Sequence, residues 1–306
     1  MGLDNIPTIP AKSIVYKNSS PSSWFGLDYN MNIYRGCSHG CIYCDSRSSC
    51  FQNPEFNTVK VKENALEIVR DDLRRKVRKG VVATGAMSDP YNPLEKHLKL
   101  TRNSLELINA FGFGASLVSK SALIVRDVDI LKDIQTHSPV MAKLSVTTAD
   151  DDLSRLLEPN TSVTSERFDA LRVLAGNGIF CGVFIIPMLP FITDSTENLT
   201  KLLRMIKDAG ADFVYTYMGM TLRPGSREYF YEHLDMILPG IKEKYMKSFG
   251  FRKNFSSPNA KKLWNVLESE CARLGLLYEM KAITHKYKAG YDTTNFPSRP
   301  IASSSP

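Results

Sequence analysis

The chain has 306 residues and a mass of 34.4 kDa, enough for one large α/β domain with an appendage. Hydrophobic residues make up 43% and charged residues 23%, as in ordinary globular proteins, and no apolar run approaches the ~20 residues that span a bilayer. Composition therefore predicts a soluble protein and argues against a membrane-spanning one. The net charge of +7 allows a polyanionic partner without establishing one.

Short β-branched or aromatic runs alternate along the chain with longer amphipathic runs, which is the pattern of parallel βα units. Six strands are predicted, at residues 29–34, 81–85, 115–119, 142–147, 181–187 and 213–218. Helices are predicted between them, at residues 63–78, 95–110, 126–135, 165–175 and 197–209. Six units are an incomplete version of the eight-unit barrel, so the predicted fold is α/β, a partial (β/α)6 TIM-like barrel with a helical C-terminal extension.

The predicted organisation has four parts. They are an N-terminal extension at 1–25, the (β/α)6 core at 26–235, a basic helical segment at 236–291 and a loosely held tail at 292–306. A long helix at 227–249, interrupted or bent near Pro239-Gly240, leads into the basic segment, and a second helix is predicted at 259–274.

Three cysteines, Cys37, Cys41 and Cys44, lie within eight residues of one another. Three thiolates on one short loop can each bind one iron of a [4Fe–4S] cluster, whereas clusters that only transfer electrons usually take four cysteines. The fourth iron would then stay open, as in catalytic metal sites. Because the loop follows the first predicted strand and residues 84–89 follow the second, both are expected at the same mouth of the barrel.

Two other interpretations of the cysteines remain open. The first is a zinc knuckle completed by Cys50 or His39, although structural zinc sites usually combine two separated ligand pairs, and His39 is expected at the surface. The second is a disulfide, which the lack of a secretory signal disfavours because a reducing cytoplasm is then expected. Cys50 could be a small hydrophobe, a redox-active thiol or a substitute ligand.

The spacing C-x3-C-x2-C, with Tyr43 just before the last cysteine, resembles the signature of radical S-adenosylmethionine (SAM) enzymes. Further segments resemble the spore photoproduct lyase-like group of that superfamily. They are residues 32–37, 88–95, Thr101-Arg102, 119–121 with Arg126-Asp127, and Glu158-Pro159. The similarity covers roughly residues 26–230, and ordered matches of this kind are harder to obtain by chance than one short motif.

One departure limits what this resemblance implies. Authentic spore photoproduct lyases place a hydrogen-donating cysteine near the end of the second barrel strand, and residues 83–89 contain none. Cys181 and Cys271 lie far along the sequence. Repair of thymine dimers in spores is therefore not the favoured function.

The resemblance implies a cofactor pair and a set of residues to hold it. In the superfamily three cysteines bind three irons, SAM chelates the fourth, and reduction cleaves SAM to methionine and a 5′-deoxyadenosyl radical that abstracts hydrogen from a substrate. By resemblance, Tyr43 packs near the adenine and the end of the second strand takes the methionine amino group. Candidate SAM-binding residues are Tyr43, Thr84, Gly85, Ser88, Ser119, Lys120, Ser145, Thr147, Arg167 for the carboxylate, and Pro187 within an apolar edge for adenine.

Asp89 and Tyr91 are the substrate-side, catalytic candidates, because they lie on a loop that is expected to face the open mouth. Tyr91 could relay a radical. The alternative is that Pro90 and Pro93 simply make a turn there.

The positive charge is concentrated near the C-terminus, where residues 240–290 hold eleven Lys or Arg and four Glu. The segment also contains Tyr245, Phe249, Phe251, Phe255, Trp264 and Tyr287, so it could bind a nucleic acid through phosphate contacts and base stacking. The favoured interpretation is that the aromatic residues are the core of the segment and the lysines its solvated face, because apolar residues need burial before they need ligands. The favoured function is a radical SAM enzyme served by a flavodoxin- or ferredoxin-like electron donor; the alternatives are a zinc-stabilised nucleic-acid-binding protein and an iron–sulfur electron carrier.

Overall fold

The computed structural model describes residues 6–19 and 24–291. The predicted tail at 292–306 lies outside the described residues, as do residues 1–5 and 20–23 of the predicted N-terminal extension.

A seven-stranded sheet forms the centre of the fold. The strands of the described chain are β1 (Thr8–Ile9), β2 (Val15–Lys17), β3 (Tyr29–Met31), β4 (Tyr34–Arg35), β5 (Lys60–Lys62), β6 (Val81–Thr84), β7 (Gly114–Ser119), β8 (Val140–Ser145), β9 (Cys181–Ile185), β10 (Phe213–Thr216), β11 (Gly219–Thr221) and β12 (Asn254–Ser256). The order in the central sheet is β10-β9-β8-β7-β6-β3-β2, and all neighbours are parallel except the edge strand β2, which is antiparallel to β3.

Helices cover the outer face of this sheet and form the C-terminal part of the fold. They are α1 (Ala65–Arg74), α2 (Glu95–Leu98), α3 (Leu100–Ala110), α4 (Val128–Gln135), α5 (Asp151–Leu157), α6 (Thr164–Gly176), α7 (Thr196–Asp208), α8 (Ser226–Ile237), α9 (Ile241–Phe249), α10 (Ala260–Leu274) and α11 (Met280–Lys288). None of the helices within the described ranges is both long and apolar enough to cross a membrane.

The predicted fold class is confirmed. Six parallel strands appear at the six predicted places, because buried parallel strands consist of continuous β-branched and apolar runs such as the Cys-Gly-Val-Phe-Ile of β9. The predicted helix at 95–110 is divided at Lys99, whose φ of 52° is left-handed, and the predicted helix at 227–249 is divided near Gly240. The sequence reading missed α5, α11 and the pairing of β11 with β12, which joins residues about thirty-five positions apart.

Successive side chains of each strand point to opposite faces of the sheet, and both faces carry apolar residues. The outward residues pack against the helices in the main core, for example Leu117, Leu144 and Val183. The inward residues, among them Val81 and Met141, form a second cluster that α11 closes with Ile283 and Tyr287. Because these inward residues lie near the amino ends of the strands, the carboxyl ends are left for the site.

The aromatic residues of the basic C-terminal segment divide into two groups. Tyr245, Phe249, Phe255 and Tyr287 are buried, so most of them form core, as the second interpretation expected. Trp264 is partly exposed, and Phe251 is 94% exposed.

Candidate active site at the carboxyl ends of the strands

A cavity of about 290 Å³ lies where the parallel strands end. We call it the cysteine cavity. Its lining is Cys37, His39, Cys41, Tyr43, Cys44, Asp45, Ser46, Phe56, Gly85, Ala86, Met87, Ser88, Asp89, Val118, Ser119, Lys120, Ser145, Ile186, Pro187, Tyr217, Gly219, Met220 and Thr221. The structure thus brings all three predicted cluster ligands to the mouth at which the chain order placed them.

Backbone contacts with distant segments hold the cysteine loop in place. The amide of Cys37 donates to the carbonyl of Phe56 at 2.8 Å, and the amide of Ile42 donates to the carbonyl of Leu157 at 3.0 Å. Gly36 has a φ of 82°, and a Cβ at this position would lie 2.3 Å from the carbonyl oxygen of Thr58. Only glycine fits this turn, which directs the thiols toward the cavity.

The donor set fits an iron–sulfur cluster. Of the six cysteines in the chain, Cys37, Cys41 and Cys44 line the cavity, while Cys50 is exposed outside it. Burial raises the pKa of the Cys37 thiol to about 11 and that of Cys41 well above its usual value. These sulfurs become thiolates when a bound cation takes the place of the proton, which is how thiolate metal sites assemble.

A buried ion pair holds the side chain of Tyr43 in place. Its hydroxyl donates to Glu158, and Glu158 pairs with Arg167. Arg167 is 1% exposed and also donates to the carbonyls of Ser145 at 2.7 Å and Ser162 at 2.7 Å. Its guanidinium therefore supports the cysteine loop from inside the protein, and the structure does not bring it to the cysteine cavity as a partner for the SAM carboxylate.

Asp89 joins the loop after β6 to the end of β7. It accepts hydrogen bonds from the Ser119 hydroxyl at 2.7 Å, the Lys120 amide at 2.8 Å and the Tyr91 amide at 2.9 Å. These donors occupy much of the carboxylate, although the residue lines the cavity. Its geometry is that of a positioning group that places Ser119 and Lys120 at the site.

His39 corrects an expectation. It was expected at the surface, yet it is 3% exposed and lines the cysteine cavity, with Nδ1 3.5 Å from Oδ2 of Asp89. The amide of Asn160 donates to the His39 carbonyl at 3.1 Å, which ties this part of the cysteine loop to the residues after α5.

Two predicted residues are buried away from the cysteine cavity. Tyr91 is buried, with the guanidinium of Arg126 5.8 Å from its ring centroid. Thr147 is buried on the continuation of β8, and neither residue belongs to the lining of the cavity.

Thr84 instead lines a second cavity, of about 550 Å³, against the inward face of the sheet. We call it the inner chamber. Its lining is Asn18, Ser19, Trp24, Leu27, Asn30, Ala83, Thr84, Gly85, Ala86, Val118, Lys143, Ser145, Phe184 and Ile186. Gly85, Ala86, Val118, Ser145 and Ile186 belong to both linings, so the two cavities adjoin.

Several lining residues were missed from the sequence. Met220 and Tyr217 reach the cysteine cavity from the segment around β11, which carried no motif. Lys143 carried a signal that was overlooked, because a lysine inside an otherwise apolar strand, two residues from Ser145, must point to the same inward face.

The chain thus combines an α/β fold with three cysteine thiols around one cavity at the carboxyl ends of parallel strands. A model of the radical SAM superfamily matches residues 31–203, and the chain belongs to that superfamily. An uncharacterized protein of Mycobacterium tuberculosis (strain ATCC 25618 / H37Rv) is 33% identical over 228 residues, which are 72% of this chain and 67% of that protein. An uncharacterized protein of Methanocaldococcus jannaschii is 33% identical over 181 residues, which are 58% of this chain and 67% of that protein.

Solved structures of spore photoproduct lyase share the fold. One, complexed with dinucleoside spore photoproduct, superposes with a TM-score of 0.63 at 16% identity and covers 88% of this chain and 79% of that one. A mutant with bound AdoMet and the same dinucleoside gives a TM-score of 0.62 at 15% identity, over 89% of this chain and 80% of the other. The predicted superfamily is confirmed, and its spore photoproduct lyase-like group is matched at the level of the fold.

Proposed function

We propose that this chain carries a [4Fe–4S] cluster on Cys37, Cys41 and Cys44 and binds SAM in the same cavity to start hydrogen abstraction from a substrate. Three cysteines of one loop, with no other cysteine in the cavity lining, are the observation that carries the proposal. Bound there, the two cofactors supply reductive cleavage of SAM to methionine and a 5′-deoxyadenosyl radical. The electron comes from a flavodoxin- or ferredoxin-like donor in the cytoplasm.

The residues of the chain orient SAM. Lys120 is the one Lys or Arg in the described lining of the cysteine cavity, so it is the group that pairs with the SAM carboxylate. Ser88, Ser119 and Ser145 offer hydroxyl groups to the amino and ribose groups. Ile186 and Pro187 provide the apolar edge against which an adenine packs.

The two alternatives fit less well. Among the described residues, no three His, Cys, Asp or Glu side chains are arranged to hold a single metal ion, as a zinc knuckle requires. A cluster avoids this requirement because each cysteine binds a different iron. The electron-carrier alternative needs a fourth thiolate, and Cys50 does not line the cavity.

Nucleic acid is the substrate class to test first. One spore photoproduct lyase that shares the fold is complexed with dinucleoside spore photoproduct, and the basic C-terminal segment supplies the charge for a phosphate backbone. A thiol hydrogen donor is not part of the proposal, because no cysteine other than the three cluster ligands lines either cavity.

The decisive experiment uses protein reconstituted without oxygen, then reduced and given SAM. Wild-type protein is expected to bind iron and form 5′-deoxyadenosine, measured by chromatography. Cys41→Ala is expected to lose both, since it removes one iron ligand. Cys50→Ala is the matched control and should retain both.

Three outcomes would count against the proposal. Zinc in place of iron would favour the binding protein. Iron that is lost in Cys50→Ala would favour a four-cysteine electron carrier. Bound iron without 5′-deoxyadenosine, and with a spectrum that SAM leaves unchanged, would also favour the carrier.

A further inference from the structure

Lys143 is a buried cation in the middle of β8. It is 3% exposed and lies on the inward face, between Met141 and Ser145. Among the described residues its ammonium has one hydrogen-bond partner, the Ser116 hydroxyl, and it lies 5.6 Å from the ring centroid of Phe184. The other fully buried cation near the site, Arg167, has the carboxylate of Glu158 beside it.

The described residues around Lys143 supply no compensating charge to the inner chamber. Lys143 is the only ionisable residue in its described lining, which otherwise consists of amides, hydroxyls, small and aliphatic residues and the rings of Trp24 and Phe184. Burial alone lowers the pKa of Lys143 to about 7. A buried ammonium without an acid beside it destabilises a fold, so a structural role is a poor reason for a lysine at this position.

The position of the inner chamber indicates what Lys143 could bind. The inner chamber shares five residues with the cysteine cavity, so a molecule in it lies directly beside whatever the cysteine cavity holds. We propose that the inner chamber is the substrate compartment and that Lys143 binds an anionic oxygen group of the substrate, a carboxylate or a phosphate, while Trp24 and Phe184 contact a planar apolar part. This inference rests on the proposed function.

The first test measures anion binding in protein without cluster or SAM, so that its failure is separable from failure of the proposed function. The probes are benzoate, phenyl phosphate and, as an uncharged isostere of benzoate, benzamide. Wild-type protein should bind both anions saturably, with an upward shift in the pKa of Lys143, followed by NMR of isotope-labelled lysine side chains. Benzamide should bind at least about tenfold more weakly, since it lacks the ion pair.

Variants separate the chamber from general attraction to a basic protein. Lys143→Met should lower the affinity for benzoate by at least about tenfold. Lys262→Met, which removes an exposed lysine of α10, should leave it unchanged. Equal binding by wild type and Lys143→Met would overturn the inference, as would benzoate and benzamide binding alike.

A second source of the anion is the carboxylate of SAM itself. Adding SAM before benzoate to cluster-loaded protein, the form that binds SAM in the proposed function, distinguishes the two sources. Independent binding supports a separate substrate group in the inner chamber. Competition between SAM and benzoate at Lys143 would assign the lysine to SAM and overturn the inference.

Stability gives a readout that does not depend on any ligand. Lys143→Met should raise the free energy of unfolding, because it removes the cost of a buried charge. Between the folded pKa of about 7 and the ordinary 10.5, the unfolded chain holds a proton that the folded chain lacks, so wild-type stability rises with pH. The gain in the free energy of unfolding of Lys143→Met over wild type is therefore largest below about pH 7 and shrinks toward pH 10.5. A Lys143→Met protein that is less stable than wild type would assign the lysine a structural role instead.

Discussion

Arg167 and Glu158 form a buried ion pair, and the groups around it indicate a structural role. Burial raises the pKa of Glu158 and Arg167 opposes that shift, so the carboxylate depends on its partner to stay ionised. Glu158 in turn accepts the Tyr43 hydroxyl, and Arg167 also donates to Thr161 at 2.5 Å. The pair therefore connects the cysteine loop to the ends of β8 and α5.

Replacing Arg167 with methionine should destabilise the protein by about 3 kcal/mol or more, because it leaves a buried carboxylate without its partner. Urea denaturation of protein without cofactors measures the effect. Arg172→Met is the matched control on α6, where an exposed pair with Asp169 is worth less than about 1 kcal/mol. Unchanged stability of Arg167→Met, together with lost SAM affinity, would restore the carboxylate-binding role instead.

At the scale of elements, the loop between β6 and α3 is organised by one carboxylate. Glu95 is fully buried and accepts from the Thr101 amide at 3.0 Å, from Arg126 at 2.8 Å and from the Tyr34 hydroxyl. Ser88, at the start of the loop, donates to the Gly36 carbonyl at 2.5 Å. The loop that carries Asp89 and the loop that carries the cysteines are thus braced against each other.

Glu95→Ala should loosen this loop and cost roughly 2 kcal/mol or more of stability, because it leaves buried donors without an acceptor. Hydrogen exchange is expected to speed up in residues 88–101 and to stay unchanged in α10. The control is Glu106→Ala, which breaks an exposed ion pair with Arg102 within α3. It should alter stability by less than about 0.5 kcal/mol. Equal exchange in wild type and Glu95→Ala would mean that backbone contacts alone hold the loop.

At the scale of the whole molecule, the exposed aromatic ring of Phe251 lies near the mouth. Arg227 is buried and donates to the carbonyls of Leu222, Phe251 and Arg252, which fixes the backbone of the loop before β12 while the Phe251 side chain is in solvent. β12 pairs with β11, and all three β11 residues line the cysteine cavity. An exposed ring beside Arg252 and Lys253 is suited to stack on an unpaired base and contact its phosphate.

If the partner is a nucleic acid, Phe251→Ala should weaken binding of single-stranded DNA by about tenfold or more, since a stacked base is worth ~1–3 kcal/mol. Fluorescence anisotropy at several salt concentrations measures this. The magnitude of the slope of log K against the logarithm of salt concentration should stay the same in Phe251→Ala. It should fall by about 0.7 in Lys253→Ala, which removes one phosphate contact. Val77→Ala, at a position 96% exposed, is the control, and Phe251→Ala binding as tightly as this control would argue against stacking.

Much of the fold could be predicted from local patterns, and the failures have a common cause. Strands β6 to β10 were predicted because their apolar runs are buried on both faces, and the division near Gly240 follows from Pro239-Gly240. β12 was missed because it is a strand only through its pairing with β11. The short α5 was missed because its seven residues are too few to show a helical repeat of apolar positions.

The sequence by itself determined the order of the βα units and the grouping of three thiols on one loop, because both depend on periodicity and spacing over a few residues. The tertiary structure decided which polar groups share a cavity. The hydroxyl of Tyr43 and its acceptor Glu158 are 115 positions apart, and the carbonyl of His39 accepts from the similarly distant amide of Asn160. Whether a cation such as Arg167 or Lys143 meets a carboxylate or an open chamber is a matter of distances between segments far apart in the chain, which local sequence patterns do not encode.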